Sequence, residues 1–499
     1  MNKTNITQKF IGLFVIMLMI FSLVSCDGSK NTSNEVTSET LNVNDSKEES
    51  SEMMKEANND NQGGVRQAGG GNNRPNGGGG IDKSDDLTLQ SLIESEVPKF
   101  KQFSYTDDAS GITVNYNLFI PENYDSSKKY PLVQFIPDAS LFGKDTLSQL
   151  IQGYGGLVWT TEEAQNKNEC FVYVPAFSGG LSHDYKTIQS RMESVVDDDN
   201  NVSEDVFINI DVIKDICKNY SIDTDRIYTT GQSMGGILSF FYATYFNDIF
   251  AAYMPVGSQF DNNMVKRLKD RNIIYLVSEG DSKASEGMNE LKNLLDEENT
   301  NYSYRYFSIK DTYENQNKIV NEAVSEGNNY NLFMFKKGEV VPEGVKSNNE
   351  HMYSFDYAYK IDAAREYLFT KTKNNDNQQG SFANDGKEKL DDGKNEDALE
   401  LFLDGCVASD KKAPRYVGYM YENGILLSQN DIQASIFYHI GTTRDDITSY
   451  YYLGLMYLKG KGVNQNTERA KEYFEKVANS GNENATGVKE AKEELEKLK

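Results

Sequence analysis

Between about residues 95 and 372, short apolar runs bounded by turn residues alternate with stretches of helical spacing. Near-continuous apolar runs of this length are typical of strands that are buried on both faces of a parallel sheet. Helices between such strands cover the two faces, as in α/β domains. We therefore predict a doubly wound, mostly parallel α/β domain over residues 91–372. The predicted strands are 112–120, 131–136, 171–175, 226–230, 251–256 and 273–277, and the predicted helices are 206–220, 237–245, 285–295 and 353–369.

The strand predicted at 226–230 runs directly into a glycine-flanked serine. Gly231, Ser233 and Gly235 form a Gly-x-Ser-x-Gly pattern that precedes a predicted apolar helix. A serine on a tight strand-to-helix turn has a strained backbone, and glycines two residues to either side relieve the crowding. Such a turn exposes the hydroxyl and aims the backbone amide of Met234, at the helix N-terminus, at a developing oxyanion. The pattern therefore predicts Ser233 as a nucleophile and Met234 as one donor of an oxyanion hole.

A serine nucleophile needs a base, usually a histidine, that a carboxylate orients. A Gly-x-Ser-x-Gly turn is typical of α/β-hydrolases, in which the acid and then the histidine follow the serine along the chain. The sequence has three histidines, of which His183 precedes Ser233 and His439 lies inside C-terminal repeats. His351 is therefore the predicted base, on a polar loop that enters a helix.

The orienting acid is expected just after the buried strand predicted at 273–277. Glu279 and Asp281 both follow that strand, and Glu286 lies a few residues further on. Asp281 is favoured because it has a short side chain and stands just past a glycine at the strand end. Glu279 is its competitor, and Glu286 is a more distant third candidate.

Residues from about 105 to 370 resemble the α/β-hydrolase esterases of the polyhydroxybutyrate-depolymerase and feruloyl/acetyl-xylan-esterase type, and the related prolyl-oligopeptidase-like hydrolases. The residues that carry the resemblance are Asp225-Arg226-Ile227-Tyr228, Gly231-Gln232-Ser233-Met234-Gly235-Gly236, the Gly280-Asp281 strand end, and the His351 loop with Tyr359 and Leu368. The resemblance implies that Ser233 is the nucleophile, Asp281 the orienting acid and His351 the general base. This chemistry needs neither a cofactor nor a metal ion.

One segment departs from the pattern of these families. They usually have His-Gly after the strand that corresponds to 131–136, and this pair supplies the second oxyanion amide. Here the sequence Pro137-Asp138-Ala139-Ser140 stands in that place. The backbone amides of Asp138 and Ala139 are the two candidates for the second donor. Because the glycine is missing, the sequence does not decide between them or establish that either serves.

Other candidate sites are less specific. Trp159, the only tryptophan, is either a core or cleft-wall side chain or a residue that stacks on a sugar or an aromatic acyl group. The acidic run 197–199 lacks the glycine and the terminal glutamate of a calcium loop. Three histidines and four cysteines, without a Cys-x-x-Cys pair, do not match zinc-site spacings, so no metal site is predicted.

The N-terminus is typical of an export signal. Lys3 and Lys9 precede an apolar run at 10–24, which is short for a membrane-spanning helix. The Leu-x-Ser-Cys ending resembles the bacterial lipobox, which implies a signal peptide at 1–25 and a lipidated Cys26 as the mature N-terminus. An uncut signal anchor is the alternative. We expect a protein outside the cytoplasm, anchored by lipid to the outer face of the cytoplasmic membrane.

Two segments have the composition of linkers. Residues 26–90 are rich in Ser, Asn, Glu and Gly, and such a segment cannot bury enough apolar surface to offset its ordering entropy. We predict a disordered tether there and a second linker at 373–384. The net charge of −25 argues against nucleic acid as a partner and against electrostatic docking on an anionic membrane.

The last segment, 385–499, contains an internal repeat with a period of 36 residues. The recurring residues are Gly418, Tyr421, Gly424 and Ala434, repeated as Gly454, Tyr457, Gly460 and Ala470. Small residues at fixed offsets let paired helices approach closely, and aromatic residues fill the space between them. The stretch 452–463 resembles the sel-one-like repeat, a relative of the tetratricopeptide repeat, which implies a helical solenoid that binds a protein partner. A helical appendage that only packs on the α/β domain is the alternative.

These features together predict a surface-anchored serine hydrolase. Carboxylic esters are the expected substrates, as small molecules or as acyl groups on a polysaccharide. A serine peptidase of the prolyl-oligopeptidase-like type is one alternative. A catalytically weak scaffold, whose repeats mediate protein interactions at the cell envelope, is another.

Overall fold

The computed structural model describes residues 81, 83–108, 110–181, 195–196, 204–373, 381–482 and 485–498. The predicted signal peptide, Cys26, most of the predicted tether, His183 and the acidic run 197–199 lie outside these residues, so the predictions made for them stay predictions. Within the described ranges, no helix has the length and apolar character needed to cross a bilayer.

A nine-stranded sheet forms the centre of residues 83–373, which we call the sheet domain. Its strands and those of a separate two-stranded ribbon are β1 (Phe100–Thr106), β2 (Thr113–Phe119), β3 (Tyr130–Ile136), β4 (Phe171–Ala176), β5 (Gly180–Leu181), β6 (Val195–Val196), β7 (Ile222–Gln232), β8 (Ala252–Val256), β9 (Asn272–Ser278), β10 (Tyr302–Phe307) and β11 (Tyr330–Phe335). The sheet order is β1-β2-β4-β3-β7-β8-β9-β11-β10, and β5 pairs with β6. Strand β1 and strand β2 run antiparallel to their neighbours, and the other pairs are parallel. The prediction of a mostly parallel α/β sheet is confirmed.

Helices cover both faces of this sheet and form the C-terminal part of the chain. In the sheet domain they are α1 (Leu87–Glu96), α2 (Ser148–Ile151), α3 (Glu162–Lys167), α4 (Asp205–Asn219), α5 (Met234–Tyr245), α6 (Asn262–Val265), α7 (Ser282–Glu297), α8 (Tyr313–Val324), α9 (Glu350–Lys360) and α10 (Asp362–Phe369). After them come α11 (Phe382–Asp391), α12 (Asn395–Val407), α13 (Ala413–Asn423), α14 (Asp431–Thr443), α15 (Ile447–Lys459), α16 (Thr467–Ala478) and α17 (Val488–Lys497). Every residue of β3, β8 and β11 is buried, which explains why the central strands lack an alternating pattern.

The predicted helix 353–369 is in fact two helices, because the chain is extended at Ile361 between α9 and α10. The first of them also begins earlier than predicted. The side chain of Asn349 caps it by accepting a hydrogen bond from the Met352 amide. His351 therefore lies in the first turn of α9 and not on the loop before it.

Helix α1 begins at Leu87, inside the segment 26–90 that is predicted to be a tether. The Asp86 side chain caps α1 by accepting a bond from the Leu89 amide, and it also accepts one from the Tyr154 hydroxyl at 3.0 Å. Lys83 makes an ion pair of 2.8 Å with Asp356 on α9, with both side chains at most 10% exposed. The sheet domain therefore includes residues from Lys83 onward. The Asp86 cap and these contacts stabilise a segment whose polar composition alone favours disorder.

The predicted linker 373–384 is likewise too long at its C-terminal end, because α11 begins at Phe382. Residues 381–498, which we call the repeat module, consist of α11 to α17. Gly424 and Gly460 end α13 and α15 with the same left-handed backbone, at φ 63°. A Cβ on Gly418 or Gly454 would lie 2.8 Å from the ring of the aromatic residue twenty positions later. The 36-residue period is thus the repeat of these close helix approaches.

The repeat module packs directly on the sheet domain. The buried guanidinium of Arg444 donates to the carbonyl of Tyr245, the last residue of α5, at 2.7 Å. It also donates to the carbonyls of Cys406 and Asp410, at 2.8 and 2.9 Å. The side chain of Asn247, just beyond α5, donates to the last carbonyl of α12. A protein partner for the module stays a prediction.

The imidazole of His439 is buried in this contact surface. Its ring stacks on Phe207 of α4, with centroids 4.7 Å apart, and its Nε2 lies 3.3 Å from the hydroxyl of Tyr457. Burial lowers the pKa of His439 well below its usual value of 6.5, and the nearby charge of Arg469 lowers it further. The folded chain therefore keeps this histidine neutral where the unfolded chain would take up a proton.

We expect this burial to make the protein less stable in mild acid. Because the folded pKa of His439 is depressed, its stabilising contribution is complete above about pH 6.5 and is lost as the pH falls below that value. Between about pH 7.5 and pH 5.5, the free energy of unfolding should fall by about 1.4 kcal/mol more in the wild type than in His439→Gln. Urea unfolding of both proteins at the two pH values measures this difference. Equal pH dependence in the two proteins would contradict it.

Candidate active site

The turn between β7 and α5 holds Ser233 in a conformation that few non-glycine residues adopt, at φ 52° and ψ −115°. A Cβ on Gly231 would lie 2.3 Å from the backbone of Gly235. A Cβ on Gly235 would lie 2.0 Å from the carbonyl oxygen of Ile136, at the end of β3. Both glycines are therefore required by space, as the Gly-x-Ser-x-Gly pattern predicts, and the strain at Ser233 is the kind stored at functional sites.

Three side chains that are remote in the sequence meet at the carboxyl edge of the sheet. The Nε2 atom of His351 lies 2.8 Å from the hydroxyl of Ser233, and its Nδ1 atom lies 2.5 Å from a carboxylate oxygen of Asp281. The His351 side chain is 34% exposed, whereas that of Asp281 is 8% exposed. The structure thus brings together the three residues predicted from the sequence, with the acid shielded from water and the imidazole open to it.

Local structure fixes the carboxylate of Asp281. It follows β9 as the N-cap of α7, where its other oxygen accepts a hydrogen bond from the Ala284 amide at 3.3 Å. Glu279, the competing candidate, instead accepts bonds from the Tyr306 hydroxyl and the Lys337 amide. These bonds, chiefly the one from Tyr306, lower the pKa of Glu279. Glu286 lies on α7 and is exposed. Asp281 is therefore the one of the three carboxylates that contacts the histidine.

An aromatic ring fixes the orientation of the imidazole. The ring of Phe355, one turn further along α9, meets His351 edge to face, with centroids 4.9 Å apart. Gly257 leaves room for this ring, because a Cβ there would lie 2.5 Å from it. The Ser354 hydroxyl donates to the carbonyl of His351 at 2.8 Å, which secures the first turn of the helix.

The segment after β3 lies beside the serine turn. A Cβ on Gly235 would also come within 2.6 Å of the Pro137 carbonyl, so the two backbones are in contact. The Asp138 side chain is buried and accepts bonds from the Ser140 amide at 2.8 Å and the Gln232 side chain at 3.4 Å. These bonds hold a short 3₁₀ turn that begins at Ala139. The amides of Asp138 and Ala139 remain the two candidates for the second oxyanion donor, beside that of Met234.

Trp159 is a core side chain, as the first of its two interpretations predicts, and the alternative of a stacking surface for substrate does not hold. The residue is 1% exposed, and its indole nitrogen donates to the Gly155 carbonyl at 2.7 Å. Its ring packs against Phe369 in the core. An indole with its only donor satisfied internally and no exposed face cannot stack on a ligand.

The three cysteines among the described residues offer no competing nucleophile. Burial raises the pKa of Cys170 and of Cys406 to about 12, and that of Cys217 to about 11. Because the thiolate is the reactive form, these thiols are poor nucleophiles at neutral pH. Across the residues that the structure describes, no three His, Cys, Asp or Glu side chains are grouped so as to hold a metal ion.

One residue beside the site received no role from the sequence. Glu350 directly precedes His351, and its carboxyl group is buried against the ends of β9 and β11. An acidic residue in the first turn of a helix is common, because it favours the helix dipole. The only further signal in the sequence was Gly280, whose missing side chain makes room for this carboxyl group.

Comparisons with known proteins match different shares of the chain. Residues 413–440 and 447–482 match the Sel1 repeat family. Protein sel-1 homolog 2 of Homo sapiens is 26% identical over 235 residues, which cover 43% of this chain and 32% of that protein. This chain therefore spans about a third of the length of that curated relative.

Solved structures that are similar to about half of this chain include two esterases. A thermostable esterase is 24% identical, with a TM-score of 0.40, and the match covers 56% of this chain and 64% of that one. A ferulic acid esterase from Anaeromyces mucronatus is 14% identical, with a TM-score of 0.33, and the match covers 53% and 91%. By its own strand order and its strained serine turn, the chain joins a domain of the α/β-hydrolase fold to a module of Sel1 repeats.

Proposed function

We propose that this protein is a serine hydrolase that cleaves carboxylic esters through an acyl-serine intermediate. The observation that carries the proposal is the continuous hydrogen-bonded chain from Asp281 through His351 to the hydroxyl of Ser233. A carboxylate on Nδ1 holds the imidazole in the tautomer that leaves Nε2 free to accept the serine proton. The strained turn presents that hydroxyl at a helix N-terminus.

The proposed reaction has two halves. In the first, the Ser233 oxygen attacks the ester carbonyl while Nε2 of His351 takes its proton and then passes it to the departing alcohol. In the second, water attacks the acyl-serine, gives a proton to Nε2, and releases the acid as Ser233 regains its proton. Backbone amides of Met234 and of Asp138 or Ala139 stabilise the oxyanion in both halves.

Esters are favoured over peptides by the resemblance around Ser233, and acyl groups on polysaccharides are the proposed natural targets. The N-terminal pattern supports an enzyme that Cys26 anchors, as a lipoprotein, at the outer face of the cytoplasmic membrane. A lipid-held enzyme on a tether would act on material in the cell wall close to that membrane.

The test is covalent labelling with a fluorophosphonate together with hydrolysis of short p-nitrophenyl esters. The wild type should label and turn over, and Ser233→Ala should do neither, because the label bonds to an activated serine oxygen. Labelled protein from cells should partition with membranes, and that of Cys26→Ala should not. Absence of wild-type labelling would favour the scaffold interpretation, and cleavage of peptides but not esters would favour a peptidase.

A further inference from the structure

The carboxyl group of Glu350 connects the start of α9 with the end of β9 and the segment after β11. One oxygen accepts the hydroxyl proton of Ser278, the last residue of β9, at 2.7 Å. The other accepts the amide of Gly338, just after β11, at 2.9 Å. Glu350 itself begins α9, and it is 8% exposed. Two neutral donors thus hold a buried acidic side chain directly before His351.

The same carboxyl group occupies the space beside Gly280. A Cβ on Gly280 would lie 1.9–2.1 Å from the carboxyl carbon and oxygens of Glu350. Gly280 is not among the glycines with positive φ, so space rather than backbone conformation requires a glycine there. Its amide donates to the Ser278 hydroxyl at 3.3 Å, so the turn and the carboxyl group form one connected unit.

This unit links Asp281 to His351, the acid and the base of the triad. Gly280 precedes Asp281, and Glu350 precedes His351, so each residue of the contact is joined by one peptide bond to a member of the triad. Displacement of a reacting group by about 1 Å can cost about 100-fold in rate. Loss of the carboxyl group would leave two donors unpaired and a void between the two backbones.

We propose that Glu350 is a positioning residue, which sets the distance between Asp281 and the His351 imidazole by filling the space over Gly280. The proposal rests on the proposed hydrolase function and adds to it a residue outside the triad. Glu350 acts through Asp281 and His351 and touches no substrate. Its contribution should therefore appear in kcat and in the rate of fluorophosphonate labelling, and hardly in KM.

The first test compares two substitutions of Glu350. Glu350→Ala should lower kcat and the labelling rate by about 10- to 100-fold, because a misplacement of the catalytic group by up to about 1 Å costs up to about 100-fold in rate. Glu350→Gln should restore most of the rate, because its oxygen can accept the Gly338 amide while its nitrogen donates to the Ser278 oxygen. Glu339→Ala is the matched control, since Glu339 also accepts one serine hydroxyl and one amide, from Ser308 and Ile309.

The second test uses the steric contact. Gly280→Ala should reduce labelling in the wild-type background, because the new Cβ must displace the carboxyl group of Glu350. In the Glu350→Ala background it should cost little more, since the space is then empty. This non-additivity requires the two residues to act as one unit, which general destabilisation would not produce.

The outcomes separate this proposal from the proposed function. A wild-type protein that neither labels nor hydrolyses esters would remove the hydrolase function itself. An active wild type with undiminished Glu350→Ala would overturn the positioning role alone. Equal losses in Glu350→Ala and Glu350→Gln would also overturn it, because charge rather than packing would then matter. Additive effects of Gly280→Ala and Glu350→Ala would likewise overturn the positioning role of Glu350.

Discussion

Replacement of His351 by alanine is expected to lower kcat for ester hydrolysis by about 10⁶-fold, and Asp281→Asn by about 10⁴-fold. The first change removes the base that lies 2.8 Å from the hydroxyl of Ser233, the only one within hydrogen-bond reach of it among the residues that the structure describes. The second keeps the shape of the carboxylate at Nδ1 but favours the wrong tautomer of the imidazole. Single-turnover measurements with an activated ester separate these losses from effects on binding.

The three residues should also behave as a unit. Ser233→Ala combined with His351→Ala should be no slower than either alone, because each already disables the proton transfer. His439→Gln is the matched histidine control, because His439 lies in the repeat module and should leave kcat unchanged at neutral pH. Additive losses in the double variant, or activity of His351→Ala within tenfold of the wild type, would contradict the assignment.

The second large effect concerns stability. Arg444→Met should lower the free energy of unfolding by about 3 kcal/mol or more, because it leaves the carbonyls of Tyr245, Cys406 and Asp410 without their donor. Arg444 is half-buried, and the desolvation of its guanidinium lowers its pKa, so these bonds hold it there at some cost in solvation. Methionine keeps much of the volume, so the loss reports the polar contacts more than a cavity.

Urea unfolding measures this loss, with Arg226→Met as the control. Arg226 pairs with Asp223 at a partly exposed position, where the two side chains are 33% and 27% exposed. Pairs that are open to water contribute about 0–1 kcal/mol. Arg444→Met should also reduce cooperativity, since the guanidinium joins the end of α5 to the repeat module. A midpoint shift no larger than that of Arg226→Met would contradict the role assigned to Arg444.

The central strands could be predicted from the sequence because burial on both faces leaves uninterrupted apolar runs, as in β3 and β8. Strand β1 was missed because it is an edge strand whose exposed positions carry Lys101, Gln102 and Ser104. Strand β10 is the other edge, and its half-buried tyrosines do not form a simple apolar run. Strand β11 was missed although it is buried, because Asn331 interrupts its apolar run.

The triad could be predicted because its residue types and chain order are constrained by chemistry. The contacts that support it could not, because they depend on distances between loops that are remote in sequence. Glu350 is the clearest case, since its neighbour Ser278 ends β9 and its neighbour Gly338 lies just after β11. For Trp159 the sequence left a core position and a stacking surface open, and only the structure decides for the core, where its indole bonds to a carbonyl four residues away.

The contact between sheet domain and repeat module has a consequence for how this chain can be divided. A gene fragment that stops at residue 372 would encode a polypeptide in which Phe207 and Tyr245 have lost their aromatic cover from His439 and Phe437. Naked aromatic patches of that kind promote self-association. A shortened or recombined version of this protein should therefore keep the sheet domain and the repeat module together.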